Sequence, residues 1–199
     1  MRVIVIILGL VFAISVACAQ EEPSSSYRNI SKPFVHFVSQ NFTHRDSAKA
    51  TLQQAGFIDS GIDPMTDIWY WQHPKLVPFQ ELDFEWFWSQ HKYIDEIDAL
   101  QLYLDQEFRG ISLDLIEGYP YVGGCALVVP ASYFSEMIYP LIENNFTIFD
   151  ANSDSTSSVR IDGNTLPKFF VELSSNDGQR SIKIWLIRNS AIFKLVYKN

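Results

Sequence analysis

The sequence is poor in the residues that hold small proteins together covalently or through metals. It contains two cysteines, Cys18 and Cys125, and four histidines. Because Cys18 falls in an N-terminal apolar segment, a processed chain would keep one cysteine, which cannot form an internal disulfide. No histidine stands in an H-E-x-x-H motif or at zinc-site spacing from a cysteine. We therefore expect no metal and no other cofactor, and stability that comes from a packed core.

Motifs of catalysis and nucleotide binding are missing as well. The chain has no G-x-S-x-G nucleophile motif, no phosphate-binding P-loop and no dinucleotide-binding G-x-G-x-x-G. Basic residues are scarce, with 15 Lys and Arg against 23 Asp and Glu, and the formal charge is −8. Since nucleic acids and anionic lipids attract clusters of Lys and Arg, this balance predicts no nucleic-acid partner and no electrostatic membrane partner.

The N-terminus has the layout of an export signal. Arg2 precedes residues 3–16, which carry no charge, and the small residues Ala17-Cys18-Ala19 follow. The apolar stretch is shorter than the roughly 20 residues of a membrane span. We expect a signal peptide at 1–19, a flexible tether at 20–30, and a secreted or periplasmic protein. The alternative is a lipoprotein with lipidated Cys18, since residues 15–18 match half of the bacterial lipoprotein motif.

Composition and periodicity predict an α+β fold. Hydrophobic residues make up 47% of the chain, which is enough for one domain over residues 31–199 or two lobes, 31–118 and 119–199. Helices are predicted from Ser31, from Asp46 to Gly56, and over 130–144. Strands are predicted over 67–72, 82–88, 99–104, 110–116, 121–129, 146–149, 169–173, 181–188 and 191–197, and a helix is the alternative for 82–88. We expect an antiparallel meander with two or three helices packed on one face.

A short internal similarity suggests that a helix-plus-meander unit occurs twice. In residues 52–59 and 141–150, Gly or Asn ends a predicted helix and a phenylalanine follows at once, about 90 residues apart. Chance explains this match equally well, because Gly and Asn are common at helix ends.

Aromatic residues are the best candidates for a binding site. Trp69, Trp71, Trp86 and Trp88 fall within twenty residues of sequence. On a sheet covered on one side, some of these rings would be exposed and able to hold a sugar or a protein. The alternative is that they fill the core.

One pair of acids is a candidate for catalysis. In a predicted strand over 82–88, Asp83 and Glu85 would share a face about 7 Å apart, a spacing that glycoside hydrolysis allows. A solvated strand face has the same pattern. The sequence thus favours an exported binding or interaction protein without catalytic activity, with a protein or carbohydrate as partner. The alternative is a secreted hydrolase of glycans or peptides that uses dispersed carboxylates.

Overall fold

The computed structural model describes residues 28–40, 42–90, 102–152, 158–161, 164–167 and 169–197. The helices are α1 (Arg28–Ser39), α2 (Arg45–Gln54), α3 (Phe84–Gln90) and α4 (Phe134–Glu143), and a 3₁₀ turn (Ala131–Tyr133) precedes α4. The strands are β1 (Thr43–His44), β2 (Ile58–Asp63), β3 (Ile68–Gln72), β4 (Gly110–Leu115), β5 (Tyr121–Pro130), β6 (Phe146–Asn152), β7 (Ser158–Ile161), β8 (Asn164–Pro167), β9 (Phe169–Ser175), β10 (Arg180–Ile187) and β11 (Ser190–Tyr197). The predicted signal peptide, Cys18 and most of the predicted tether lie outside the described residues.

The strands form one antiparallel sheet and a separate hairpin. Within the described residues the sheet has nine strands, in the order β2-β3-β4-β5-β11-β10-β9-β6, and β1 pairs with the first residues of β5. Strands β7 and β8 form the hairpin. This arrangement confirms the predicted α+β class with an antiparallel meander.

The architecture consists of two similar halves. In each half a helix leads into four strands that are neighbours in the sheet: α2 with β2, β3, β4 and β5, then α4 with β6, β9, β10 and β11. The last strands of the two halves, β5 and β11, pair with each other and join the meanders at the centre. The strand order is therefore symmetric about this central pair.

The helix ends that carried the sequence similarity have the same local geometry. Gly56 and Asn145 follow α2 and α4 with φ of 91° and 68°. Glycine and asparagine tolerate this left-handed conformation best, so both residues end their helices and turn the chain. Phe57 and Phe146 come next, and both are buried. A β-bulge then follows at the same distance after each phenylalanine, in β2 and in β6.

One face of the sheet packs against α1, α2 and α4, as predicted for the three helices. Apolar side chains alternate along the central strands and meet the helices in one cluster. Trp71, Leu127 and Phe193 come from three different strands and lie fully inside this cluster. Burial of such large side chains contributes roughly 1.5–3 kcal/mol each to stability, so this layer is the main source of cohesion.

The other face is covered by the long connection between β3 and β4, residues 73–109. Its described parts contribute Phe87, Tyr103 and Phe108, which pack against Tyr70 of β3 and Trp185 of β10. In the second half the matching connection, between β9 and β10, is a tight turn over residues 176–179. The β3–β4 connection therefore makes the first half different from the second.

The predicted strand over residues 82–88 is wrong, because this segment contains α3. Asp83 caps the helix, since its Oδ1 accepts the backbone N–H of Trp86 at 2.8 Å. Phe87 is buried, and Phe84 and Trp88 are half-buried beside it. This i, i+3, i+4 stripe outweighs the alternating pattern, because it places these three rings against the sheet.

Three boundaries also differ from prediction. Helix α1 begins at Arg28 rather than at Ser31, which is buried inside it. Strand β2, which includes Gly61 next to its bulge, is absent from the predicted strands. Residues 102–105 are helical rather than extended, and the rest of that predicted strand, 99–101, lies outside the described residues.

Candidate interaction surface

The four candidate tryptophans do not form one surface. Trp69 and Trp71 of β3 are 8% and 0% exposed, and their ring centroids lie 4.8 Å apart in the helix-covered core. Trp69 donates its indole N–H to Asp59 Oδ1 at 2.8 Å. Trp86 and Trp88 belong to α3, on the opposite face of the sheet. Trp69 and Trp71 therefore fill the core, as the alternative interpretation of the sequence stated. They do not belong to an exposed binding surface.

Trp88 fixes α3 to the edge of the sheet. Its indole N–H lies 3.0 Å from both carboxylate oxygens of Asp63, the last residue of β2. Asp63 is fully buried and also accepts the Met65 backbone N–H at 2.9 Å and the Thr66 hydroxyl at 2.8 Å. These donors satisfy the buried carboxylate, as a buried charge requires. The role of Trp88 in this structure is to orient α3.

Trp86 occupies the solvent side of α3. Half of its side chain is exposed, and Phe79 of the same connection is 47% exposed. The sequence-predicted acids Asp83 and Glu85 are exposed within three residues of Trp86 in the chain, and Glu81, just before α3, is exposed as well. We call these five residues, 79, 81, 83, 85 and 86, the α3 surface. The structure thus brings Asp83, Glu85 and Trp86 together, on a helix rather than on the predicted strand.

A set of glutamines holds the α3 surface in place. Buried Gln72 of β3 donates to the Gln80 carbonyl at 2.7 Å and accepts the Gln80 backbone N–H at 3.1 Å. Gln106 makes the same double contact with the backbone of Asp83, at 2.8 and 2.9 Å. The Gln80 side chain donates to the Gln106 carbonyl and links the two pairs. Because both ends of residues 80–83 are fixed, Phe79 and Trp86 project from a supported backbone.

The charges of the α3 surface are all of one sign. Residues 76–90 contain Glu81, Asp83 and Glu85 but no Lys or Arg. In the part of the chain that the structure describes, none of the three carboxylates lies within ion-pair distance of a cation. Within the described residues, the surface therefore combines two exposed aromatic rings with three carboxylates that form no ion pair.

Asp114 is an acid that sequence reasoning missed, and it lies on the face under the β3–β4 connection. It stands opposite Gly124 in the β4–β5 pairing, and a Cβ on Gly124 would come within 2.5 Å of Asp114 Oδ2. The carboxyl therefore occupies the space that a side chain at 124 would need. Burial raises the pKa of Asp114, and the nearby Lys194 lowers it in part. Among the described residues, none donates a hydrogen bond to this carboxyl.

Two tyrosines lie close to Asp114 in the same layer. The Tyr103 hydroxyl is 2.8 Å from Ser112 Oγ, and both residues are buried. Burial raises the pKa of Tyr103 and of Tyr70. Both phenols therefore stay neutral at physiological pH, and the Tyr103 hydroxyl takes part in a hydrogen bond inside the core.

Cys125 is an enclosed thiol rather than an accessible one. It is 1% exposed and lies at the floor of a small notch between β1, the start of β5 and the end of β11. The notch has room for about one water molecule. Burial raises the pKa of the thiol well above its ordinary value, so the reactive thiolate is scarce.

A second group of exposed aromatic residues was not predicted from the sequence, and two of its members, Phe42 and Tyr197, line this notch. Its members come from three separated segments: Phe42, Tyr119, Tyr121 and Tyr197. Tyr121 pairs with His44 across β1 and β5, and their rings meet edge to face at 5.7 Å. We call this group the β1–β5 corner. These residues are far apart in the sequence and only the fold brings them together, so no local sequence pattern predicts this group.

The described residues contain no group of three or more His, Cys, Asp or Glu side chains placed to hold a metal ion. Among the helices within those same residues, none combines the length and apolar character of a membrane span. Comparisons with protein-family models, with curated proteins and with solved structures found no match to the chain.

Proposed function

We propose that this chain is an exported binding protein without catalytic activity, and that it holds its partner, a protein or a carbohydrate, on the α3 surface. The observation that supports this most is the half-exposed Trp86 on a helix that is held from several sides. A large exposed ring costs solubility, and interaction sites use such rings because they supply much contact area with little loss of side-chain entropy.

The position of the surface supports the same proposal. It lies on the β3–β4 connection, which has no counterpart of similar length in the second half of the sheet. Insertions on a repeated scaffold are common sites of binding, because they vary without disturbing the core.

A position-specific crosslinking experiment tests the proposal. A photoreactive amino acid is placed at position 86 in the producing cells, and in a matched variant at position 119, which is also exposed but belongs to the β1–β5 corner. We expect an adduct of defined mass from position 86 and none of that mass from 119. A folded protein that gives no adduct at 86, or the same adduct from both positions, would refute the α3 surface as the binding site.

Export is tested separately on the mature N-terminus. Mass spectrometry of the protein from the extracytoplasmic fraction is expected to show a chain that begins at Gln20. A diacylglyceryl group on Cys18 would instead establish the lipoprotein alternative, and an intact residue 1 in the cytosol would exclude export.

A further inference from the structure

We infer that the partner of the α3 surface is a basic protein segment that presents arginine side chains; this inference rests on the proposed function. Charge complementarity favours this partner, because the exposed charged groups of the α3 surface are carboxylates.

The acidic side chains of the α3 surface favour a cationic partner. Among the described residues, no cation lies within ion-pair distance of the carboxylates at 81, 83 and 85, so no ion pair described there would have to break when a cationic partner binds. An anionic partner would add repulsion. A second copy of the chain carries a formal charge of −8 and is therefore a poor occupant.

The two exposed aromatic rings of the α3 surface favour arginine over lysine. Trp86 and Phe79 are each about half exposed on the same segment. An arginine guanidinium stacks on an aromatic face and at the same time donates two parallel hydrogen bonds to a carboxylate. Lysine provides the charge without the planar fork, so arginine matches this combination of groups better.

Hydrogen bonds hold the α3 surface in place before a partner binds. The glutamine contacts hold residues 80–83, and Trp88 holds the other end of α3 to Asp63. A surface fixed before binding loses little conformational entropy when a partner docks. The partner itself can therefore be an extended, flexible segment.

The test titrates the purified protein with four probes: a Gly/Arg peptide, the equal-length Gly/Lys and Gly/Glu peptides, and cellohexaose. Binding is followed by the fluorescence of the exposed Trp86 and by calorimetry, at low and high salt. We expect the Gly/Arg peptide to bind more tightly than Gly/Lys, and Gly/Glu and cellohexaose not to bind. High salt should weaken binding, because exposed charges are screened.

Three variants locate the binding. Trp86→Ala should weaken Gly/Arg binding about tenfold through loss of stacking. The double variant Glu81→Gln/Glu85→Gln should weaken it and flatten its salt dependence, while Asp83 still caps the helix. Tyr119→Ala, in the β1–β5 corner, is the matched control and should bind like the parent. Calorimetry measures peptide binding to Trp86→Ala, because this variant lacks the fluorescent ring. Circular dichroism shows that each variant is folded.

The outcomes separate this inference from the proposed function. Binding of Gly/Glu as tight as that of Gly/Arg, or Gly/Arg binding that survives both α3-surface variants, overturns the basic-partner inference. Cellohexaose binding that Trp86→Ala abolishes also overturns it, yet keeps the α3 surface as a binding site. Failure of all probes overturns the inference as well, and the position-86 crosslink then decides the proposed function independently.

Discussion

A matched pair of tryptophan substitutions tests whether the structure separates core from surface correctly. Trp71 is fully buried and Trp86 is half exposed. Replacement of a buried tryptophan by alanine costs about 3–5 kcal/mol, because transfer energy is lost and a cavity remains. The indole nitrogen of Trp71 is buried without a hydrogen-bond partner among the described groups. Trp71→Ala therefore removes no bond, and we expect the low end of the range, about 3 kcal/mol.

The expected cost of Trp86→Ala is much smaller. The ring is on the solvent side of α3, and alanine has the higher helix propensity, so we expect a loss of about 1 kcal/mol or less. In a chain of this size, 1 kcal/mol corresponds to roughly 2–4 °C in Tm. Trp71→Ala should thus lower Tm by about 6–12 °C and Trp86→Ala by less than about 4 °C.

Thermal unfolding by far-UV circular dichroism and urea titration measure both effects. Fluorescence adds a second readout, because Trp86→Ala should remove most of the acrylamide-accessible emission and Trp71→Ala should leave it. Equal destabilisation by the two substitutions would refute the assignment of Trp71 to the core and Trp86 to the surface. So would a Trp71→Ala variant that melts like the parent.

Three further predictions concern Asp114, the Gln106 support of the α3 surface, and Cys125. Burial raises the pKa of Asp114, so the folded protein holds this proton more tightly than the unfolded chain, and the stability from the neutral carboxyl is lost as pH rises through the folded-state pKa. Asp114→Asn should therefore be more stable than the parent at neutral pH and lose that part of the pH slope; urea titrations that show a less stable variant at neutral pH would contradict this. Gln106→Ala removes both side-chain contacts to Asp83, so hydrogen exchange should quicken in residues 80–90 and stay unchanged in β9–β11; equal change in both regions would show a global effect instead. Cys125 should react with a thiol reagent only in denaturant, and fast labelling of the native protein would show that the notch opens.

The C-terminal half of the sheet could be predicted well from the sequence. Strands β9, β10 and β11 are rich in apolar and β-branched residues, and Asn176-Asp177-Gly178 marks the turn between β9 and β10. Here local pattern and tertiary packing agree, so the strand positions follow from the residues alone.

Residues 82–88 show why the N-terminal half was harder to predict from the sequence. Their apolar positions fit both a period of two and a helical stripe, and the Asp83 cap, together with the sheet face that this segment covers, decides for the helix. Asp83, Glu85 and Trp86 were named as candidates from the sequence. That all three are exposed could not be predicted, because it depends on residues 84–90 forming a helix. The β1–β5 corner depends on contacts between distant segments, which one sequence does not specify.

The paired bulges in β2 and β6 have a consequence for solubility. These two strands form the outer edges of the sheet in the described residues, and an exposed edge is a template on which another chain can add a strand. A bulge kinks the edge and breaks the regular row of backbone donors and acceptors. The same irregularity at both ends of the molecule therefore protects this wide sheet against growth into fibrils.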